Sequence, residues 1–122
     1  MKYADFLERV QGRADIADDA QAERTVVTVL QELLDRISAK EGHDLLAQLP
    51  YELKRSVTVT VARVPLSPDE FVARVARELD VTEEEARRRI RAVFGTLREA
   101  VTWGELEDVL LELDPEYADL LA

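Results

Sequence analysis

Near its start the chain reads DFLERV (residues 5–10), and at residues 70–75 it reads EFVARV. Phe6, Val10 and Ile16 match Phe71, Val75 and Val81 at a spacing of 65 residues. From Ala22 onward the spacing is 64: Ala22 with Ala86, Val26 with Ile90, Val29 with Val93, Leu30 with Phe94, Leu33 with Leu97, and Ile37 with Val101. The match continues through Ser38 with Thr102, Glu41 with Glu105, and Leu45, Leu46 and Leu49 with Val109, Leu110 and Leu113. One extra residue near ADIADDAQ accounts for the slip. A unit that recurs only once is too short an array for a solenoid, which needs three or more stacked units. The expected architecture is therefore an all-α, compact helical bundle in which two related repeats face each other about a pseudo-two-fold axis and share one core.

The apolar positions recur at the three- and four-residue steps of a buried helical face, most clearly at Ala86, Ile90, Val93, Phe94, Leu97 and Val101. Start signals mark the boundaries. Ser67-Pro68-Asp69-Glu70 supplies an N-cap, a proline at the first helical position and a glutamate placed to close a capping box. Thr82 with Glu85, Ser38 with Glu41 and Thr102 with Glu105 repeat that spacing. Pro50 and Pro115 each follow a third helix, where proline can begin a helix but not continue one. The spacing predicts helices over 2–13, 19–37, 39–49 and 51–57, then 68–79, 83–100, 103–113 and 115–121.

One domain spanning 1–122 is expected, with repeat one at 2–57, a connector at 58–66 and repeat two at 67–122. A chain of this length buries roughly 65–70 % of the surface its unfolded state exposes, enough for one shared core. The connector SVTVTVARVPL (56–66) alternates valine with threonine, which is strand chemistry in a helical protein. The expectation is an extended segment that lays valines on the core. The alternative is an edge strand pairing with its copy in a second subunit, which makes the chain a monomer or a homodimer.

The layout, DFLERV and LLAQLPYEL followed by EFVARV and EYADLL, resembles the bacterial family catalogued as domain of unknown function 2267. The resemblance covers nearly the whole chain and implies an all-helical repeat domain, with no established activity and no catalytic residues to carry across. The second half departs from the family's Leu-Pro by reading Leu113-Asp114-Pro115.

Charge and composition narrow the function. The formal charge is −10, and after Arg98 there are eight acidic residues and no basic one. That balance argues against a nucleic-acid backbone or an anionic leaflet as partner and would draw a basic protein surface to the C-terminal end. The absence of cysteine excludes disulfides, thiolate catalysis and zinc-thiolate sites, and fits a reducing cytoplasm. The N-terminus lacks an apolar signal core, and no run reaches the roughly 18 apolar residues of a membrane span, so a cytoplasmic protein without a membrane partner is expected.

No residue set carries catalysis. His43 is the only histidine, and one histidine cannot supply the paired Glu-x-x-His ligands of a helical-bundle metal site; an exposed surface residue is expected. Gly42, Gly95 and Gly104 lack any phosphate-cradling context. Glu105, Glu107, Asp108 and Glu112 lie on a regular helix rather than an EF-hand loop, so a solvated acidic face is expected in place of a cation site. Neither a catalytic centre, a cofactor nor a metal is expected.

Two binding surfaces remain. Trp103 stands where the first half has Ala39, as the first residue after the cap Thr102. Packing against a neighbouring helix end is its expected state; exposed, it would anchor a partner. With Glu105, Glu107, Asp108 and Glu112 it defines an acidic face for an unknown protein partner, and a non-enzymatic interaction or regulatory module is the expected function. The alternative is a nucleic-acid-associated regulator using Arg87, Arg91 and Arg98, which line one flank of the helix at 83–100. Against it, Glu83, Glu84 and Glu85 precede Arg87, Arg88 and Arg89 by four residues, the favourable order for a self-paired face.

Overall fold

Each predicted N-cap does its work. In the computed structural model, which describes residues 1–121, the Ser38, Ser67, Thr82 and Thr102 side chains accept hydrogen bonds from the backbone N–H three residues on, at 3.1–3.3 Å. The helices they open, with those capped by other means, are α1 Tyr3–Ala14, α2 Asp19–Leu34, α3 Ala39–Ala47, α4 Tyr51–Lys54, α5 Pro68–Leu79, α6 Glu83–Ala100, α7 Trp103–Leu111 and α8 Tyr117–Leu121. Among the described residues there is no strand. The sequence pattern overran the C-terminal ends of α2, α3, α4 and α7 by two or three residues, because apolar residues such as Ile37 and Leu49 stay buried after the helix has ended, and began α8 two residues early, at Pro115.

The backbone conformation of two helix ends was not anticipated from the sequence, although α5 ends at the expected residue. Asp15 and Asp80 adopt left-handed backbone, with φ of 56° and 55°, and terminate α1 and α5. The next residue folds back in each case: Ile16 N–H donates to the Gln11 carbonyl at 3.1 Å and Val81 N–H to the Ala76 carbonyl at 3.0 Å. This is the Schellman closure that glycine normally occupies, with the following apolar residue turned onto the core.

The four long helices form a ring in which α1 and α5 each pack against both α2 and α6. Phe6, Val10, Val26, Val29 and Leu30 meet Phe71, Val75, Ile90, Val93 and Leu97 in one continuous buried cluster. The fully buried Ala22 and Ala86 leave room for helices to approach closely. Across the same interface Arg89 Nη1 donates to Thr25 Oγ1 at 3.0 Å, so these two buried polar side chains are partnered. At one end of the ring α3 packs on α7, while α4 lies against α1 and α3, and α8 against α6. No described helix is long and apolar enough to cross a membrane.

The connector is extended but forms no ladder. Gln31 on α2 does the work of a partner strand: its Nε2 donates to the Thr58 carbonyl and its Oε1 accepts from the Thr58 N–H, both at 2.9 Å. The Thr60 hydroxyl donates to Asp35, and the Val64 N–H donates to the Asp35 carbonyl at 3.0 Å. Only half of the expected valine packing occurs. Val57 and Val59 rest on the core, whereas Val61 is 90 % exposed and Val64 is also open to solvent. Val59 passes so near α3 that a Cβ at Gly42 would sit 3.2 Å from its side chain and 3.3 Å from that of Leu34, a tight fit that glycine relieves.

Candidate functional site

The α3–α7 junction departs most from the local rules. A capping box requires the glutamate three residues after the cap to reach back to the cap's own N–H. Ser67 and Glu70 do this, at 3.2 Å. At the other three starts the box stays open, for physical reasons that differ. Glu85 is taken by Arg88 and Arg89, whose Nε atoms lie 3.0 and 2.9 Å from its carboxylate. At α3 and α7 the cap N–H is already occupied from across the junction. The Ser38 N–H donates to Glu112 Oε1 at 2.7 Å, and the Ser38 hydroxyl to Glu112 Oε2 at 2.8 Å. The Thr102 N–H donates to Gln48 Oε1 at 2.7 Å.

Displaced from their caps, Glu41 and Glu105 turn into the junction. They are 8 % and 9 % exposed, and Glu41 Oε2 and Glu105 Oε1 are buried without a hydrogen-bond partner among the described residues. Asp108, one turn after Glu105, completes a cluster in which one carboxylate oxygen from each residue lies within 4.8 Å of the others. Burial, then the charges of Glu41, Asp44 and Asp108, push the Glu105 carboxyl above its usual range, while Lys40 draws it down. Lys40 Nζ sits 3.4 Å from Glu41 Oε1 and 3.0 Å from Asp44 Oδ2.

The acidic face expected of α7 is therefore split. Glu107 and Asp108 are exposed, but Glu105 is buried and Glu112 serves as the cap of α3, with Arg63 Nη1 at 3.2 Å on its outer side. Packing was expected for Trp103, yet it is 66 % exposed, while Leu106 and Val109 supply the buried side of α7. Leu111, at the far end of the same helix, is 76 % exposed. His43 is exposed, as expected.

Arginines 87, 91 and 98 do share a flank of α6, and that flank has intramolecular partners. Arg87 Nη2 pairs with Asp69 Oδ1 at 3.2 Å, in place of Glu83 as the four-residue spacing had suggested. Arg91 Nε donates to the Leu120 carbonyl at 3.0 Å and Arg98 Nη2 to the Leu121 carbonyl at 2.8 Å. These guanidinium groups satisfy carbonyls at the end of α8, which a helix terminus otherwise leaves without donors.

A family model described as "Uncharacterized conserved protein (DUF2267)" matches residues 3–120. The chain belongs to this family. No curated protein matches it. Membership in DUF2267 agrees with the layout of the whole helical ring, since the match runs from the first residue of α1 into α8.

Sequence reasoning passed over Glu41 and Gln48 as site residues. The signal was present in the offset of 64 residues, which aligns Glu41 with Glu105, Asp44 with Asp108 and Gln48 with Glu112. It was masked because a glutamate three residues after a cap reads as a satisfied capping residue.

Proposed function

We propose that this domain is a non-enzymatic protein-interaction module whose docking surface is the outer face of α7, and that its partner presents a basic segment with an apolar anchor. The observation that carries this is the exposure of Trp103 and Leu111 on one short helix whose charged residues are all acidic. A large exposed aromatic beside like-signed charges favours a partner of opposite charge, with the ring as anchor and the acids steering approach. Glu107 is the third contact, lying between Trp103 and Leu111 along the helix.

The scaffold for this face is, on the same proposal, a pair of related repeats about a pseudo-two-fold axis. Support comes from the reciprocal caps, in which Ser38 takes Glu112 while Thr102 takes Gln48, each pair being the other shifted by 64 residues. A cysteine-free chain fits a reducing cytoplasm. The arginine flank of α6 supports a nucleic-acid reading less well, because Arg91 and Arg98 hold α8 in place.

The test is affinity capture from nuclease-treated lysate, followed by calorimetry with the purified captured protein. Trp103→Ala is expected to weaken binding by about 30-fold, the ~2 kcal/mol of an interface hot spot. Glu107→Lys should weaken it further at low salt. Binding that is indifferent to Trp103→Ala, Glu107→Lys and Leu111→Ser together would overturn the assignment. Charge reversal at Glu105 or Glu112 would be uninformative, since Glu105 is buried and Glu112 bonds Ser38.

A further inference from the structure

We infer that the α3–α7 junction is a binding site for a hard divalent cation, with Glu41, Glu105 and Asp108 as its protein ligands. This goes beyond the docking surface, which uses Trp103, Glu107 and Leu111, and beyond the sequence pattern, which gave no cation-binding loop.

The first support is an unmet electrostatic need. Two carboxylate oxygens lie out of solvent with no donor, and an uncompensated buried charge costs several kcal/mol. Lys40, the one basic side chain in contact, reaches Glu41 Oε1 and Asp44 but is itself largely exposed, and it makes no contact with Glu105. Four acids, Glu41, Asp44, Glu105 and Asp108, thus face one basic side chain, Lys40, for a formal charge of −3 on the cluster. Other carboxylates are stabilised by donors: Glu32 meets Arg36 and Arg74, and Glu85 meets Arg88 and Arg89. At the junction the donors that would have served, the N–H groups of Ser38 and Thr102, go to Glu112 and Gln48.

The second support is geometric. Oxygen ligands about 2.0–2.6 Å from a common cation lie no more than about 5 Å apart, and the three oxygens here fall within 4.8 Å. An all-carboxylate set without cysteine or histidine selects Ca²⁺, Mn²⁺ or Mg²⁺ over softer ions. The exposed Asp108 leaves an entry path and room for water in the remaining coordination positions. The ion would bridge α3 to α7 and balance the carboxylates that the crossed caps release.

The experiment uses the full chain, stripped with a chelator and then titrated separately with Ca²⁺, Mn²⁺ and Mg²⁺ by calorimetry, with melting temperature read in parallel. Saturable binding of one ion is expected, with a melting temperature that rises by several degrees at 100 times its Kd. Glu105→Gln and Glu41→Gln should abolish both effects. Asp108→Asn, at an exposed position that does not threaten folding, should weaken binding about tenfold or more. Absence of binding by all three ions at millimolar concentration would overturn the site. So would an equal response in Asp108→Asn and the native chain, which would place the ion elsewhere on the acidic surface. A chain that ignores all three ions but gains stability as pH falls, and loses that gain in Glu105→Gln, would show a shared proton instead and also refute the proposal.

Discussion

Replacing Glu112 with alanine removes the two acceptors that cap α3 from outside its own sequence. The Ser38 N–H and O–H lie 2.7 and 2.8 Å from the Glu112 carboxylate, and an ionised acceptor makes such bonds charge-assisted. Bonds to a charged partner contribute about 1.5–3 kcal/mol, and loss of an N-cap interaction costs about 1 kcal/mol. The half-exposed Arg63 pair adds little, because exposed ion pairs contribute at most about 1 kcal/mol. A loss of about 2–3 kcal/mol follows, or roughly 6–12 °C in Tm for a domain of this size. Gln48 performs the same task at Thr102 with a neutral amide, at 2.7 Å, and so calibrates the charge. Glu112→Gln should therefore cost only about 1 kcal/mol, and Gln48→Ala about as much. Differential scanning calorimetry on the four proteins measures the series. A Glu112→Ala chain melting within 2 °C of the native one would refute the reasoning, because the cap would then contribute nothing that water cannot replace.

Glu32→Ala is expected to destabilise by about 3–5 kcal/mol in urea unfolding, since Glu32 is 3 % exposed and its loss strands the buried Arg36. Burial, then contact with the Glu32 carboxylate and its charge, push Glu78 up to about 7. The native state thus holds a proton that the unfolded chain releases near pH 4.5; this stability is complete below that value and lost as pH rises through about 7. Tm should fall between pH 5 and pH 8, and Glu78→Gln should flatten the decline. Val61→Lys should leave both stability and the mass by light scattering unchanged, within about 0.5 kcal/mol for an exposed site. A change in mass would revive the edge-strand alternative for the connector.

Local and periodic features were legible in the sequence. α6 was read to the residue, because Thr82 caps it, Ala86 to Leu97 give an unbroken apolar face, and Thr102 opens the next helix. What could not be read was competition between partners distant in the chain. Ser38 with Glu41 is as good a capping box on paper as Ser67 with Glu70, and only folding brings Glu112 within 2.7 Å of the Ser38 N–H. The same blindness applies to α7. Its acids share a composition, but Glu105 lies on the inward turn, Glu112 meets Ser38, and only Glu107 and Asp108 remain outside. Trp103 was misjudged because its size argues for burial, whereas it stands in the first turn of α7 and the buried side of that helix is made by Leu106 and Val109. Asp15 and Asp80 as left-handed helix ends were missed because glycine is the usual signal there.

The crossed caps bear on how the chain is made. A ribosome releases the first four helices before the last four exist, and at that moment α3 begins without Glu112 and α1 has no α6 to cover it. The early segment therefore leaves the exit tunnel with open amides and an uncovered apolar stripe, a state that holdase chaperones recognise. The ring helices are complete once α6 has been made, but the exchange of caps between α3 and α7 needs Glu112, so the Ser38 N–H gains its partner only after α7. An N-terminal helix of this molecule is thus capped by one of the last residues to be synthesised.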